Sequence, residues 1–309
     1  MQKSIKGNYF SKILLLRIIF SYICETMKNM KQTSHARACA KINLGLNVVK
    51  KRSDGYHDIE TIFYPIPLYD ELTILPAEGD VPNCQLIIEG LPIDCDTKDN
   101  LICKAYNVLA ENFNLPPIVA KLQKTIPMQA GMGGGSSDAA TMLCLLNDHF
   151  SLNLSDNQLE NFAKTLGADC PFFITQNPSY ATGIGEVLTP IPNLHERLKG
   201  KHILIVKPPY HVSTKEAYSL ITPCEPEISC NEAILQPIES WKNLLTNDFE
   251  KSVFAKFPHM QQLKNTLYQL GATFALMSGS GSALFGIYET EPVDYQSAFP
   301  DCQVFLRTL

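Results

Sequence analysis

Residues 127–143 read PMQAGMGGGSSDAATML: four glycines and two serines run into a stretch that places Ala139, Met142, Leu143 and Leu146 on one helical face. Glycine loses more conformational freedom on folding than any other residue. A folded chain keeps such a cluster where backbone bends sharply or comes close to another group. Ser136 or Ser137 is a natural N-cap for the helix. A helix start offers unpaired N–H groups and the positive end of a dipole, so the partner expected here is an anion, and a triphosphate fits. No lysine sits beside the serines as in a G-x-x-x-x-G-K-[ST] loop, and no acidic residue ends a following strand as in a dinucleotide fold. A plain strand-to-helix turn would need only one or two glycines, so the cluster favours phosphate binding.

Two charged residues elsewhere in the chain could complete that chemistry. Lys41 interrupts an apolar alternation, CAKINLGL, and Asp169 lies in GADCPFF between the end of a helical pattern and a short apolar run that reads as a strand. Taken singly, a strand lysine is usually solvated and a loop aspartate usually forms a turn. Together with a phosphate cradle they make the parts of a phosphoryl-transfer site: phosphates held, charge spread, and an attacking hydroxyl oriented or deprotonated. A neighbouring cation favours the ionised form of a carboxylate, which can accept the hydroxyl proton while the lysine steadies the transferred group.

The elements that must position these groups follow from periodicity. Ala38, Ala40, Ile42, Leu44, Leu46 and Val48 alternate as in a half-buried strand, Asp54-Gly55 marks a turn, and Ile59 to Leu75 reads as a second strand. Asn100 to Phe113 has helical spacing, and Ile118 to Leu122 is a short strand leading into the glycines. Ser155 and Gln158 form a capping box for a helix that ends at Leu166 and Gly167. Beyond a junction near residues 193–201, HILIV, TFALM, ALFGIY and QVFL read as strands, with STKEAYSLI and MQQLKNTLYQL as helices. Mixed strands and helices in two halves predict two α+β domains.

Composition bounds the class. The 309 residues are 45% hydrophobic and 18% charged with a net charge of -5, as in a soluble globular enzyme, and without a basic cluster for nucleic acid or an acidic membrane. Ten cysteines form no C-x-x-C pair, so reduced thiols in a cytoplasmic protein are expected. Residues 1–32 are expected to be a loosely attached extension or a mis-assigned start. Their apolar run, KILLLRIIFSYIC, is interrupted by Arg17 and is too short to span a bilayer.

The segments AKINLGL, SDGYHDIETIF, PMQAGMGGGSSDAAT, GADCPFF and MSGSGSALFG, in this order, resemble the GHMP-type small-molecule kinases over about residues 33 to 309. SDGYH and GADCPFF are most similar to the members that phosphorylate a cytidine-diphosphate-linked methylerythritol. The resemblance implies a two-domain α+β GHMP kinase fold. Its ATP-binding domain, 33–197, would resemble domain 2 of ribosomal protein S5, and its substrate-side domain, 198–309, would be ferredoxin-like. It further implies ATP as phosphoryl donor, Mg2+ carried mainly by the nucleotide phosphates, and small molecules as the only partners. Lys41 and Asp169 become the catalytic pair, with Asp169 as base. Pro127, Ala130, Gly131, Met132, Gly133, Gly134, Gly135, Ser136 and Ser137 become the ATP-binding set, with Gly131 to Ser137 holding the phosphates. Asn43 would contact substrate. Tyr56 and His57 would hold the cytosine, with Tyr218 as a second stacking face, Lys124 reaching nucleotide or diphosphate, and Gly279, Ser280 and Gly281 closing the site. The alternative acceptors within the family are homoserine, mevalonate and sugars. Gln129 and Met132 depart from the usual glycine and leucine, and Asp138 adds negative charge beside the serines.

Overall fold

The alternating apolar residues build β1 (Ser34–Lys51), which turns at Asp54-Gly55 and pairs antiparallel with β2 (His57–Pro76). The computed structural model describes residues 33–309 apart from 78, 80, 81 and 94; the extension expected over 1–32 lies outside them. The alternation predicts one wet face, yet β1 is buried at every position from Ala38 to Val48. Ala40, Ile42 and Leu44 pack with Ile203, Ile205 and Phe285 of the second half, while Cys39 on the opposite face packs with Ala140, Phe172 and Phe173. Covering both faces leaves Lys41 and Asn43 beside Cys39, enclosed rather than solvated.

β3 (Cys84–Gly90) and β4 (Ile118–Lys124) run parallel, joined through α1 (Leu101–Ala110), whose first turn is capped by Asn100 Oδ1 accepting the Ile102 N–H at 2.9 Å. With β5 (Ser179–Thr182) and β6 (Val187–Pro190) they complete a six-stranded sheet ordered β3-β4-β2-β5-β6, β1 also pairing with β2. α2 (Gly134–His149) and α3 (Asp156–Leu166) pack with α1 on this sheet through Ile102, Leu109, Leu122, Met142, Leu146 and Leu159. Each such buried side chain contributes on the order of 1.5–3 kcal/mol. The capping box at Ser155 and Gln158 forms as expected, the Ser155 N–H donating to Gln158 Oε1 at 3.0 Å.

In two places the local reading is corrected. The run after Asp169 is a one-turn helix, α4 (Phe172–Thr175), because Pro171, with φ of -57°, pre-sets a helical first turn. STKEAYSLI makes only the turn Thr214–Ala217 and a 3-10 turn Tyr218–Leu220, since Pro223 disfavours helix in the residue before it.

The second sheet is antiparallel: β7 (His202–Lys207), β8 (Phe274–Met277), β9 (Leu284–Tyr288) and β10 (Gln303–Thr308) in the order β10-β7-β9-β8, the ferredoxin-like order expected. α5 (Phe249–Lys256) and α6 (His259–Gln269) pack on it through Val253, Leu263 and Leu267. Among the described residues the cysteines are free thiols, and no helix is long and apolar enough to cross a membrane.

Candidate active site

Lys41 and Asp169 meet. The lysine Nζ lies 3.6 Å from Asp169 Oδ2 and donates to Asn43 Oδ1 at 2.6 Å, above the Phe63 ring. The lysine side chain is 4% exposed and the aspartate 35%, so the cation is fixed from behind while the carboxylate faces the open side. Burial pushes the Lys41 pKa below its ordinary value, and the charge of Asp169 opposes that shift. Asn43 lies two residues along the same strand face. Its Nδ2 donates to Thr61 Oγ1 at 2.8 Å, and Thr61 donates onward to the Gly45 carbonyl.

The glycine segment folds against this pair. Met132 accepts the Lys41 backbone N–H at 3.0 Å, while its side chain and that of Ala130 point into the core. Gly131 and Gly133 have φ of 71° and 68°. A Cβ on Gly131 would stand 1.9 Å from the Ser278 carbonyl oxygen, and one on Gly133 would stand 2.7 Å from the Phe173 ring and 3.3 Å from the Lys41 Cε. Gly134 is equally confined, with Ile126 at 3.0 Å and Lys124 Nζ at 3.2 Å from a Cβ placed there. Gly135 differs: its Cβ would meet only Leu101, at 3.8 Å. The protein itself gives no reason for glycine at that position.

Helix α2 begins one turn earlier than expected. Left-handed Gly133 is the N-cap, so Ser136 and Ser137 fall inside the first turn rather than at its cap. The first helical N–H groups are therefore those of the glycines and Ser136, which no helical carbonyl can satisfy. Ser137 Oγ is buried without a hydrogen-bond partner, as are Asp138 Oδ1 and Thr141 Oγ1. Unfilled donors at a helix start and an open Gly135 together fit a bound triphosphate. Among the described residues no group of three or more His, Cys, Asp or Glu side chains could hold a metal by itself.

The substrate-side residues divide. His57 and Tyr218 stack on each other, ring centroids 4.6 Å apart at 19°, and the Tyr218 hydroxyl pKa is raised first by burial and then by the charge of Asp169. The stack therefore stands within electrostatic reach of the Lys41–Asp169 pair. Tyr56 is not drawn in; it is 62% exposed at the hairpin tip. Gly279 and Gly281 do approach the loop, a Cβ on Gly279 standing 3.0 Å from the Gly131 oxygen and one on Gly131 standing 3.1 Å from the Gly281 nitrogen, and Ser278 Oγ donates to the Gly131 carbonyl at 2.8 Å and accepts the Asn43 N–H at 3.3 Å. Ser278, one residue before the glycines singled out in the sequence, makes that junction; Thr61, which carries no sequence signal, holds the Asn43 side chain from the neighbouring strand.

Lys124 is a correction. Its ammonium is fully enclosed, 2.6 Å from both Asp70 Oδ2 and Asp138 Oδ2, and so it faces no ligand. Asp70 Oδ1 also accepts the N–H groups of Thr125 and Ile126. The lysine is thus a strut beneath Gly134. Two carboxylates share one ammonium in a dry site, and burial pushes the Asp138 carboxyl up to about 7 against the pull of Lys124.

A cavity of about 560 Å3 adjoins the start of the glycine segment, lined by Pro92, Pro127, Met128, Lys207, Pro208 and Pro209 among others. Of its lining residues only Pro127 belongs to the nucleotide-binding set expected from the sequence. Lys207 is tethered within it, donating to the carbonyls of Pro208 and Tyr210.

The family models for the GHMP kinase N-terminal domain and the GHMP kinase C-terminal domain match residues 100–177 and 231–296. A 4-diphosphocytidyl-2-C-methyl-D-erythritol kinase of Bacteroides thetaiotaomicron is 51% identical over 252 residues, covering 82% of this chain and 91% of the relative. One from Porphyromonas gingivalis is 48% identical over 264 residues, covering 85% and 95%. The crystal structure of a 4-(cytidine 5'-diphospho)-2C-methyl-D-erythritol kinase superposes with a TM-score of 0.70 at 29% identity, over 88% of this chain and 97% of that one. The mevalonate kinase of Methanococcus jannaschii shares the fold at a TM-score of 0.66 and 13% identity, over 90% and 99%.

Proposed function

The chain belongs to the 4-diphosphocytidyl-2-C-methyl-D-erythritol kinases of the GHMP kinase family, and from that membership we propose that it transfers the γ-phosphoryl group of ATP to the 2-hydroxyl of that cytidyl-linked polyol. It is an ATP-dependent small-molecule kinase of isoprenoid precursor synthesis. The observation that supports the acceptor assignment is the His57–Tyr218 stack, whose tyrosine hydroxyl feels the charge of Asp169, since an aromatic pair in reach of the acid suits a cytosine whose attached polyol extends to the base.

Asp169, half open to the cleft, accepts the proton of the attacking hydroxyl or holds it in line. Lys41, held by Asn43 and Asp169, aims its charge at the transferring group. The N–H groups opening α2, with the serines, hold the phosphates, and the proline-lined cavity at Pro127 takes the adenine. Any Mg2+ would be held mainly through the nucleotide's own phosphates beside the start of α2 rather than in a protein cage, and would supply neutralisation of their charge. We assign residues 33–197 to ATP binding and catalysis and residues 198–309 to the substrate side, and we place the enzyme in the cytoplasm.

The test is ADP release with the cytidyl-linked polyol, repeated with cytidine diphosphate as competitor. Turnover that cytidine diphosphate inhibits supports the assignment. Turnover only with homoserine, mevalonate or a sugar, indifferent to cytidine diphosphate, would overturn it in favour of another GHMP kinase activity.

A further inference from the structure

The segment LTNDFE (Leu245 to Glu250) presents an amide and two carboxylates within four residues, and the reaction as described uses none of them. Each is spent on backbone groups of another segment. β1 breaks register with β2 between Asn43 and Leu46, where Gly45 has φ of 87°. That irregularity frees both backbone groups of Leu46. Its N–H donates to the Thr246 carbonyl at 2.7 Å, and its carbonyl accepts the Asp248 N–H at 2.9 Å. Asp248 Oδ2 then accepts the Val48 N–H at 2.7 Å. Glu250 Oε1 accepts the Met277 N–H at 2.9 Å and is paired with Lys264.

Asn247 sits at the centre, 3% exposed. Its Nδ2 spends both hydrogens, on the carbonyls of Met277 at 2.7 Å and Gly279 at 2.8 Å, and its Oδ1 accepts the Phe249 N–H at 3.0 Å. Two facing carbonyls demand a two-proton donor, so an amide satisfies the position and an isosteric carboxylate repels it. Gly279 and Ser278 are the residues that touch the phosphate loop and the catalytic strand. A Cβ on Gly279 would stand 3.0 Å from the Gly131 oxygen and 3.3 Å from Asn43 Oδ1, and Ser278 bridges Gly131 and Asn43.

We propose that Asn247 is a positioning residue for the phosphoryl transfer: by clamping the carbonyls of Met277 and Gly279 it holds the Ser278–Gly281 turn against Gly131 and Asn43, and so keeps the glycine loop in register with Lys41. This rests on the kinase reading above. It explains why a buried position that the reaction does not use carries an amide. The clamp acts through backbone carbonyls, so sequence spacing alone could not tie Asn247 to residues 30 positions away.

The test compares the parent with Asn247→Asp, using hydrogen exchange of the turn and steady-state kinetics. The amides of Ser278, Gly281 and Ala283 are hydrogen-bonded in the turn and its junction with Ala130, so they report its order without any substrate. In Asn247→Asp they should exchange at least about tenfold faster while β7 and β10 amides keep their protection. The turnover number should fall about 30-fold while the KM for ATP stays within about threefold, because misplacement is felt most in the transition state. Should Asn247→Asp not fold, Asn247→Ser, neutral and smaller, carries the same comparison. Uniform loss of protection across both sheets, or an unchanged turnover number per folded molecule, overturns the proposal. If the parent is inactive on the cytidyl-linked polyol, the acceptor assignment fails, and the exchange comparison still decides the clamp.

Discussion

Gly135→Ala separates a phosphate cradle from a tight turn, because the two demand glycine at different positions. A turn explains Gly131 and Gly133, whose φ values are left-handed and whose Cβ atoms would collide with Ser278 and Phe173. It does not explain Gly135, which lies within α2 and whose added Cβ would make one ordinary contact, with Leu101 at 3.8 Å. In the empty protein the alanine should be neutral to favourable, by up to about 0.5–1 kcal/mol of helix propensity. The melting temperature should then hold or rise by about 2 °C. Side chains of a helix tilt toward its N-terminus, so the new methyl projects toward the groups that would carry the phosphates. Displacing one charge-assisted hydrogen bond costs about 1.5–3 kcal/mol, which is about 10- to 150-fold in nucleotide affinity. Calorimetric titration with ADP and a thermal melt on the same preparation measure both sides. A variant as stable as the parent that binds ADP within twofold of it would refute the phosphate reading of the cluster.

Two further outcomes concern the buried strut. Lys124→Met leaves Asp70 and Asp138 facing each other in a dry site, and urea unfolding should show about 3–5 kcal/mol lost; a loss below about 1 kcal/mol would contradict the strut. Asp138 has an ordinary value of 3.8 and stands near 7 in the folded protein, so between those values the folded chain keeps a proton that the unfolded chain has released. Its contribution to stability is then fullest below about pH 4 and is lost as pH rises toward 7. Asp138→Asn should lose less of its urea midpoint between pH 5 and pH 8 than the parent does; parallel changes in the two proteins would rule the group out.

Much of the site was legible because its constraints are local. Glycines that need positive φ, a lysine interrupting an apolar strand and an acid after a helix end are visible in single segments. What escaped depends on distant partners. The start of α2 moved from Ser136 or Ser137 to Gly133 because a left-handed glycine can cap a helix without a side chain. Lys124 read as a residue reaching nucleotide or diphosphate because neither Asp70, 54 positions earlier, nor the fold that buries both is encoded nearby. The same holds for β1, where an alternating pattern gave no warning that a second sheet would cover the other face. Ser278 and Asn247 act through carbonyl groups, which every residue has, so their types alone pointed to nothing.

The most direct measurement is the turnover number of Asp169→Asn beside the parent, with ATP, Mg2+ and the cytidyl-linked methylerythritol at saturation. An amide keeps the shape beside Lys41 but cannot accept the hydroxyl proton, so turnover should fall at least about 100-fold while ADP binding and the melt stay at parent values. A near-parent rate from the purified variant would remove the acid from the chemistry and contradict the account.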